Sequence, residues 1–241
     1  MHIDVTFTPA DYKKNLKNRG VTVIIDVLRA SSSIITAFVH GACQVIPVRT
    51  PEAAFDLKRK LSGEKVLLCG ERSGKKITHF DFGNSPREYM DERVGNKKLI
   101  FCSTNGSQLM SLAAGRSDRI VIGGFINYRA VLDFLLQAED DIVLGCAGRE
   151  GKFSLEDTAC AGMFVHGLMR SKRNSIRCRD AAYVAELIYL RHKGNLEMLL
   201  QKSEHGQYLI SLGFGEDLSF CAQTDRFKIL PVFHKNGFVV R

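Results

Sequence analysis

The sequence predicts an α/β fold, layered as helix, sheet and helix, with a mixed or largely parallel sheet. Short runs of β-branched and other apolar residues recur along the chain, and each is followed by a polar loop and by apolar residues at helical spacing. Consecutive apolar positions of this kind are typical of strands buried on both faces. The 241 residues are 45% hydrophobic, and no linker-like change of composition divides them. We therefore expect a single domain over residues 1–241.

The clearest of these units opens with a β-branched run over 21–25. It ends at Asp26, a polar turn over 29–33 follows, and apolar residues then recur at helical spacing as far as Gly41. The pattern predicts a strand, a loop and a helix. In α/β sheets such a loop lies where ligands bind, and a helix start offers N–H groups to an anion. The alternative is structural, with a serine as the helix N-cap and Asp26 bonded to its own loop.

The same reasoning predicts the later elements. Strands are expected at 44–48, 66–69, 99–102, 120–125, 142–146 and 228–232, and helices at 51–61, 109–113, 130–136, 159–169, 180–190 and 196–202. Ser85, Pro86 and Glu88 form the pattern of a helix start with a capping box. The polar loop at 70–76 does not match the spacing of a phosphate-binding P-loop. The sequence thus predicts several polar loops at strand ends that converge on one cleft.

Charge and cysteine content narrow the class of protein. The net charge of +8 fits either an anionic small substrate or nucleic acid. The densest basic tract, 170–179, follows an apolar helix, and cations at a helix C-terminus favour a solvated surface over a nucleic-acid site. The seven cysteines are an odd number without a close pair, so we expect reduced thiols. No stretch is long and apolar enough for a membrane span or a signal peptide, and we expect a cytoplasmic protein.

Adjacent carboxylates and strand-end arginines indicate chemistry at this cleft. Glu156 and Asp157, together with Asp26 or Asp81, could supply the oxygen ligands that Mg²⁺ takes, although Ser154 and Asp157 also fit a capping box. Three arginines follow strand ends, where guanidinium groups bind phosphate, sulfonate or carboxylate: Arg29, Arg72 and Arg149. His205 fits either a general acid or base or a structural hydrogen-bonding residue.

Six blocks along the chain carry a family resemblance: IIDVLRASSSIITAF, LLCGERSGKKITHFDFGNSPREY, CSTNGS, GGFINYRAV, AGREGKFSLEDTACAG and SEHGQYL. In this order they resemble the 2-phosphosulfolactate phosphatase (ComB) family over nearly the whole chain. The resemblance implies a Mg²⁺-dependent phosphatase that converts (R)-2-phospho-3-sulfolactate to 3-sulfolactate and phosphate, in coenzyme M biosynthesis or sulfolactate production. The family pattern has Thr where this chain has Ser32, and Thr-Thr-Asn-Gly-Thr around Asn105.

We take the candidate site residues from these loops and blocks. The candidate catalytic residues are Asp26, Arg29, Glu156 and Asp157, and the candidate metal ligands are Asp26, Glu156 and Asp157. The candidate substrate-binding residues are Ser31, Ser32, Ser33, Glu71, Arg72, Asn84, Ser85, Thr104, Asn105, Gly106, Asn127, Arg149 and His205.

Two mechanisms stay open: a metal-bound water attacks phosphorus, which we prefer, or Asp26 forms a phospho-aspartate. The expected partner is a small anionic phosphoester, with no nucleic acid or membrane, and a homodimer is compatible with the sequence. The alternatives are a phosphatase for another small phosphorylated hydroxy acid and a non-catalytic anion-binding protein.

Overall fold

The computed structural model describes residues 1–14, 20–171 and 176–240. Within these ranges eleven strands form one mixed sheet. The strands are β1 (His2–Thr6), β2 (Val21–Ile25), β3 (Gln44–Val48), β4 (Val66–Arg72), β5 (Lys75–Lys76), β6 (Lys98–Cys102), β7 (Arg119–Gly123), β8 (Ile142–Cys146), β9 (Arg177–Cys178), β10 (Pro231–His234) and β11 (Gly237–Val240). The α-helices are α1 (Pro9–Lys14), α2 (Ala30–Val39), α3 (Pro51–Lys60), α4 (Gly106–Ala114), α5 (Tyr128–Gln137), α6 (Leu155–Ser171), α7 (Asp180–His192), α8 (Leu196–Lys202), α9 (Glu204–Ser211) and α10 (Gly215–Cys221).

The sheet consists of two parallel blocks joined by a hairpin. The strand order is β5-β4-β6-β3-β11-β10-β7-β2-β8-β1-β9. Strands β3, β6 and β4 are mutually parallel, as are β7, β2, β8, β1 and β9. The hairpin β10–β11 pairs antiparallel with β7 on one side and with β3 on the other, so the two blocks run in opposite directions. The predicted mixed or largely parallel sheet is confirmed.

Strand β2 lies at the centre of the hydrophobic core, and all five of its residues are buried. Val21, Val23 and Ile25 belong to a cluster that includes residues of α5, α6 and α7, while Ile24 belongs to a second cluster with residues of α2 and α4. Alternate side chains of a strand point to opposite faces, so helices cover the sheet on both sides of β2. This arrangement confirms the predicted helix, sheet and helix layers.

The last predicted strand is misplaced. The sequence suggested a strand at 228–232, but β10 begins at Pro231 and a second strand, β11, follows a tight turn. The preceding segment runs without a strand partner, and the Phe227 N–H instead donates to the Ile126 carbonyl. The turn between β10 and β11 consists of Lys235, which has a positive φ, and Asn236, because His234 pairs with Gly237. Asn and Gly favour turns, so Asn236 and Gly237 are the local sign of a turn at this point of the sequence.

The predicted capping box at Ser85 is wrong. Residues Pro86–Met90 form a 3₁₀ helix, and the Ser85 side chain makes no cap bond. Its hydroxyl donates to Asp217 at 2.6 Å, and the Glu88 carboxylate accepts the Gly83 N–H at 2.7 Å. A capping box requires both groups to bond within one turn, and here each is drawn to another partner.

Three further expectations concern membrane-spanning helices, the basic tract at 170–179 and the cysteines. No helix within the described ranges is both long and apolar enough to cross a membrane. Residues 172–175 of the basic tract lie outside the described residues. All seven cysteines are free thiols, and most of them are buried, as expected.

Candidate active site

The loops that follow β2, β4, β6 and β8 meet in a small polar cleft of about 50 Å³. Residues from all four loops line it, together with residues of α9. The lining residues are Asp26, Leu28, Arg29, Glu71, Ser73, Gly74, Asn84, Thr104, Asn105, Arg149, Glu150, His205, Tyr208 and Leu209. The structure thus brings eight of the seventeen candidate site residues together in the cleft lining.

These loops meet although β4 and β6 run opposite to β2 and β8. Sheet twist of roughly 20–25° per neighbouring pair accumulates across the strands between β4 and β2, and we attribute the meeting of the loops to it. Gly106, at the start of α4, permits the closest approach. A Cβ atom at Gly106 would lie 2.7 Å from Asp26 Oδ2 and 2.9 Å from the Ala30 Cβ, so a larger residue would push α4 away from β2.

Asp26 directly follows β2 and is almost fully buried in the cleft wall. Its Oδ1 accepts the Ala30 N–H at 3.1 Å, and its backbone carbonyl accepts the Ser31 N–H at 2.8 Å. Burial raises the pKa of Asp26 to about 6, and the nearby Glu71 and Glu156 charges add to the rise while His205 opposes it. Asp26 itself therefore caps the start of α2, and the predicted anion site at that helix start already has this carboxylate as its partner.

Glu71, at the end of β4, connects two loops of the cleft. Its Oε1 accepts the Thr104 N–H and its Oε2 accepts the Gly74 N–H, each at 2.8 Å. The side chain is buried, so this carboxylate is held in one position beside the cleft. The loops after β4 and β6 are thereby fixed to each other.

Glu156 and His205 form a buried carboxylate–imidazole pair. The Glu156 Oε1 atom lies 3.2 Å from His205 Nδ1, with side-chain exposures of 2% and 16%. Burial disfavours the Glu156 carboxylate, but the hydrogen bond and the charge of His205 outweigh it, and the pKa of Glu156 lies below its usual range. Since Nδ1 is held by Glu156, the other ring nitrogen of His205 is left for the cleft. This is the arrangement of an oriented general acid or base.

The Asp157 carboxylate accepts hydrogen bonds from backbone N–H groups and does not line the cleft. Its Oδ1 accepts the Val27 N–H at 2.8 Å and its Oδ2 accepts the Gly148 N–H at 3.1 Å, which joins the loops after β2 and β8. Burial and the charges of Glu156 and Asp26 raise its pKa well above the usual range. Its own N–H donates to the Ser154 hydroxyl at 3.3 Å, which is one bond of the predicted capping box, but the second bond is absent because the Asp157 carboxylate accepts from Val27 and Gly148. The structure does not bring Asp157 to the cleft surface.

Arg29 lies in the cleft wall with its charge already paired. Its guanidinium donates to Asp217 and to the Gly74 carbonyl, both at 2.7 Å, and lies 4.2 Å from the centroid of the Phe214 ring. The ion pair is buried, with side-chain exposures of 2% and 3%. The sequence gives no local sign of this role for Asp217, because its partner is 188 positions away in the chain. Arg29 therefore joins α10 to the site and has little charge left for a ligand.

Arg149 and Arg72 differ in what they can bind. Arg149 lies half-buried in the cleft wall, 4.7 Å from the centroid of the Tyr208 ring, and has no acidic partner among the described residues. Arg72 is not part of the cleft lining, and its guanidinium donates to the Glu71 and Arg49 carbonyls. Of the three predicted arginines, Arg149 alone combines a place at the cleft with a charge unpaired within the described chain.

The predicted serines are buried and bonded within the fold. Ser31 receives the Asp26 N–H, and the hydroxyls of Ser32 and Ser33 donate to the carbonyls of Val27 and Asn84. Ser85, as described above, donates to Asp217. These hydroxyls shape the loops from beneath the cleft surface.

Asn127 is a predicted site residue whose side chain lies away from the cleft. It is fully buried, its Oδ1 accepts the Gly124 N–H, and its Nδ2 donates to the carbonyls of Ile122 and Ile229. The side chain therefore connects the end of β7 with the segment before β10. The structure does not bring Asn127 into the cleft.

Asn84 has an orphaned polar atom at the cleft. The residue is 5% exposed, and its Oδ1 has no hydrogen-bond partner within the described chain. Buried polar atoms are nearly always paired in folded proteins, so an unpaired one in a cleft wall points to a ligand. The amide orientation is an assignment, and either its oxygen or its nitrogen can face that ligand.

The cleft provides some, but not all, of the oxygen ligands that a hard cation such as Mg²⁺ requires. Among residues 1–14, 20–171 and 176–240, no three His, Cys, Asp or Glu side chains come together as a ready-made metal cage. The predicted trio of Asp26, Glu156 and Asp157 is therefore not assembled as such. Mg²⁺, however, commonly takes one or two carboxylates together with water and substrate phosphate. The Asp26 carboxylate and the orphaned Asn84 oxygen fit this mode.

A second cavity of about 530 Å³ adjoins the cleft and shares Arg149, Glu150 and His205 with it. Lys152, Lys202 and the half-exposed Phe153 lie along its wall. Glu156 faces this cavity from the start of α6. The shared residues make it the approach to the cleft from the α6 and α8 side.

Comparison with known proteins gives one consistent result. The family model described as 2-phosphosulpholactate phosphatase matches residues 6–236. A protein of Thermotoga maritima named "Probable 2-phosphosulfolactate phosphatase" is 41% identical over 219 residues, which are 91% of each chain. Proteins of the same name from Symbiobacterium thermophilum and Clostridium perfringens are 41% and 38% identical over 91% and 98% of this chain, and over 94% and 95% of their own lengths.

Proposed function

Because the chain belongs to the 2-phosphosulpholactate phosphatase family, we propose that it hydrolyses (R)-2-phospho-3-sulfolactate to 3-sulfolactate and inorganic phosphate. The observation that carries the proposal is the family match over residues 6–236, at a level of identity maintained across nearly whole chains. The cleft adds buried carboxylates, an oriented imidazole and an unpaired arginine, the groups that hydrolysis of a phosphate monoester requires. The setting we propose is the cytoplasm, and the enzyme needs no nucleic acid or membrane.

Charge at the cleft supports a Mg²⁺ requirement. Asp26, Glu71 and Glu150 line the cleft, while Arg29 is already ion-paired with Asp217. A phosphate dianion would meet more negative than positive charge there, and a divalent cation would reverse that balance. The side-chain oxygens of Asp26 and Asn84 would hold it, with Glu156 and Glu71 close enough to act through their charge. When bound, Mg²⁺ supplies positive charge to the phosphoryl oxygens and lowers the pKa of a water molecule.

The residues of the chain account for the remaining steps. Hydrolysis forms a bond from phosphorus to the attacking oxygen, breaks the bond to the ester oxygen and leaves an alkoxide that needs a proton. His205, when protonated and held by Glu156, donates that proton from its free ring nitrogen. Asp26 either positions the water that attacks phosphorus, or attacks phosphorus itself to form a phospho-aspartate that a water molecule then hydrolyses to phosphate and the free carboxylate. Rapid acid quench with a ³²P-labelled substrate separates these routes, because only the second leaves a phosphorylated enzyme that Asp26→Asn abolishes.

Arg149 is the group we propose for the second acid function of the substrate. A guanidinium binds sulfonate and carboxylate with similar geometry, and the stacking of Arg149 on Tyr208 fixes its plane at the cleft wall. Loss of one charged contact costs roughly 1.5–3 kcal/mol. Arg149→Ala should therefore lower kcat/KM for phosphosulfolactate by about tenfold to more than a hundredfold, and less for p-nitrophenyl phosphate.

The function test measures phosphate release from phosphosulfolactate, phospholactate, phosphoglycolate and p-nitrophenyl phosphate, with Mg²⁺ or with EDTA. The proposal expects the highest kcat/KM for phosphosulfolactate and loss of activity in EDTA. The matched control for Arg149→Ala is Arg72→Ala, an arginine after a strand end that is not part of the cleft lining. Equal kcat/KM for phosphosulfolactate and phospholactate would favour a phosphatase for another phosphorylated hydroxy acid. Absence of release from all four would favour an anion-binding protein.

Metal binding has a readout apart from activity. Mg²⁺ that binds only the folded state raises Tm as its concentration exceeds Kd. We expect this increase for the wild type and for Asp81→Asn, whose carboxylate pairs with Lys58 instead of lining the cleft. Asp26→Asn should show a much smaller increase. Equal increases in all three proteins would contradict the assignment of Asp26.

A further inference from the structure

Helix α7 is apolar around most of its circumference, yet it packs on the protein with one side only. From Ala181 to Leu190 every residue except Glu186 is apolar. A helix of this composition is normally buried on all sides. Three of its large apolar side chains are nevertheless exposed: Tyr183 at 50%, Val184 at 46% and Leu187 at 66%.

The closest contact of α7 with the protein runs through small residues, while Glu186 and Tyr189 on the same side contact His166 of α6. Ala182 and Ala185 are fully buried against the core. A Cβ atom at Gly162 of α6 would lie 1.9 Å from the Ala185 carbonyl oxygen, so the two helix backbones cross almost in contact. Tyr183, Val184 and Leu187 lie away from this contact, at the edge of the sheet beyond β1 and β9.

The exposed side has a regular charge pattern. Asp180, Val184, Leu187 and Arg191 are spaced four, three and four residues apart and therefore lie in one row along the helix. The row has an acid at its start, two apolar residues in the middle and a base at its end. No ion-pair partner of Asp180 or Arg191 occurs within the described part of the chain. Tyr183 and Ile188 flank the row on its two sides.

We propose that this row, Asp180-Val184-Leu187-Arg191, is the contact between two copies of the chain, with the two α7 helices antiparallel about a two-fold axis. The row is symmetric about the point midway between Ala185 and Glu186. Reversing it therefore places Asp180 opposite Arg191 of the partner subunit and Val184 opposite Leu187 of the partner subunit. A two-fold interface requires such self-complementarity, because the same patch serves both copies.

The pattern favours a second copy over other occupants. An unrelated partner would need no symmetry in the charges of this helix, whereas a copy of the chain needs an acid and a base at equal distances from the axis. A helix of 13 residues is about 20 Å long, and one helix pair buries less than the roughly 1,200–2,000 Å² of a standard interface. We therefore expect a dimer that dissociates on dilution. This inference is independent of the proposed function, since α7 contributes no residue to the cleft.

Charge reversal tests the proposal. Asp180→Arg places two arginines against each other at both ends of the contact, and Arg191→Asp does the same with two acids. Each variant alone should have a dimer Kd raised by about tenfold or more in sedimentation measurements over a dilution series. An equal mixture of the two variants should form a heterodimer, because each reversed charge then meets its opposite. Native mass spectrometry distinguishes it when one variant carries a mass tag.

The matched control is Glu52→Arg, which also reverses an exposed acid in the first turn of a helix but lies on α3 near the opposite edge of the sheet. Its dimer Kd should equal that of the wild type. A wild type that is monomeric at every concentration overturns the proposal. So does a dimer that neither charge reversal weakens, or a pair of weakened variants that fails to form the heterodimer. Unchanged circular dichroism spectra of both variants exclude unfolding as the cause.

Discussion

At the level of single residues, the charged form of Asp26 serves the candidate site but lowers the stability of the folded state. Burial in the cleft wall, together with the charges of Glu71 and Glu156, raises the pKa of Asp26 to about 6, so the fold disfavours the charged form relative to the unfolded chain. A phosphatase needs the charged form, whether to hold a cation or to act on phosphorus. Active-site groups commonly lower stability in this way.

The pH dependence of stability tests this cost in metal-free protein. The Asp26 pKa is about 6 in the folded state against 3.8 for an ordinary Asp carboxyl group. The stability that this raised pKa contributes to the folded state is therefore fully present below pH 3.8 and is lost as the pH rises through about 6. The change is about 3 kcal/mol, at 1.36 kcal/mol per pKa unit. We expect Asp26→Asn, in EDTA, to become more stable than the wild type between pH 4 and pH 7.

Urea unfolding at a series of pH values measures this difference. The control is Asp56→Asn, an exposed carboxylate on α3 that pairs with Arg59. Its difference from the wild type should stay nearly constant over the same range. Stability curves of Asp26→Asn and the wild type that run parallel would contradict the raised pKa.

Sequence reasoning at this scale found the charged residues but not their partners. Asp26, Glu71, Arg149 and His205 follow recognisable strand ends or helix starts, and all four line the cleft. The pairing of Arg29 with Asp217, and of Asp157 with two backbone N–H groups, joins positions that only the folded chain brings together. Whether a charge is free for a ligand depends on those distant partners. It could not be read from local patterns.

At the level of elements, the short helices after α7 hold the far wall of the cleft. Helix α9 supplies His205 and Tyr208, and its start is fixed by the Ser203 hydroxyl, which accepts the Gly206 N–H at 2.9 Å. A Cβ atom at Gly206 would lie 1.8 Å from the Leu200 carbonyl oxygen, so α8 and α9 meet almost in contact. This close corner sets the position of His205. The sequence predicted α8 but left α9 and α10 unassigned.

Helix α10 is attached to the site through the Arg29–Asp217 pair, and removing one partner should release it. Asp217→Ala would leave the buried Arg29 charge uncompensated, which typically costs about 3–5 kcal/mol of unfolding free energy. The Ser85 hydroxyl would lose its acceptor as well. We expect the double variant Arg29→Met/Asp217→Leu to recover much of this loss, because no unpaired charge remains.

Chemical denaturation of the wild type, the single variants Arg29→Met and Asp217→Leu, and the double variant measures the coupling. A sum of single-variant losses that equals the loss of the double variant would show that the pair is not coupled. The exposed pair Arg93–Asp91 is the control, and Asp91→Ala should cost far less because both groups are accessible to water.

At the level of the whole molecule, the hairpin β10–β11 holds the two halves of the sheet together. Val232 pairs with Val121 of β7 and Phe238 pairs with Val45 of β3. Phe238 is fully buried in the cluster that also contains Ile24. The sequence predicted the layers and the polar loops because these depend on local pattern. It missed the hairpin as the central link because strand order depends on pairing between distant segments.

Truncation of Phe238 tests this role. Phe238→Ala should lower the unfolding free energy by about 3–5 kcal/mol, the usual cost of removing a buried aromatic side chain. The wild type should unfold in one transition, followed by both circular dichroism and tyrosine fluorescence. Two separate transitions in the wild type would mean that the blocks fold independently and that the hairpin does not couple them. Phe153→Ala, at a half-exposed position, is the control.

The position of the hairpin also has a consequence for how the chain folds during its synthesis on the ribosome. Strands β3 and β7, between which the hairpin lies, are synthesised before it. During translation they therefore reach solvent with their facing edges unpaired. Exposed strand edges pair readily with other chains, and incomplete folding intermediates aggregate by this route. The middle of the sheet is thus completed after its two sides have been made, and the facing edges of β3 and β7 are paired only once residues 231–240 have emerged.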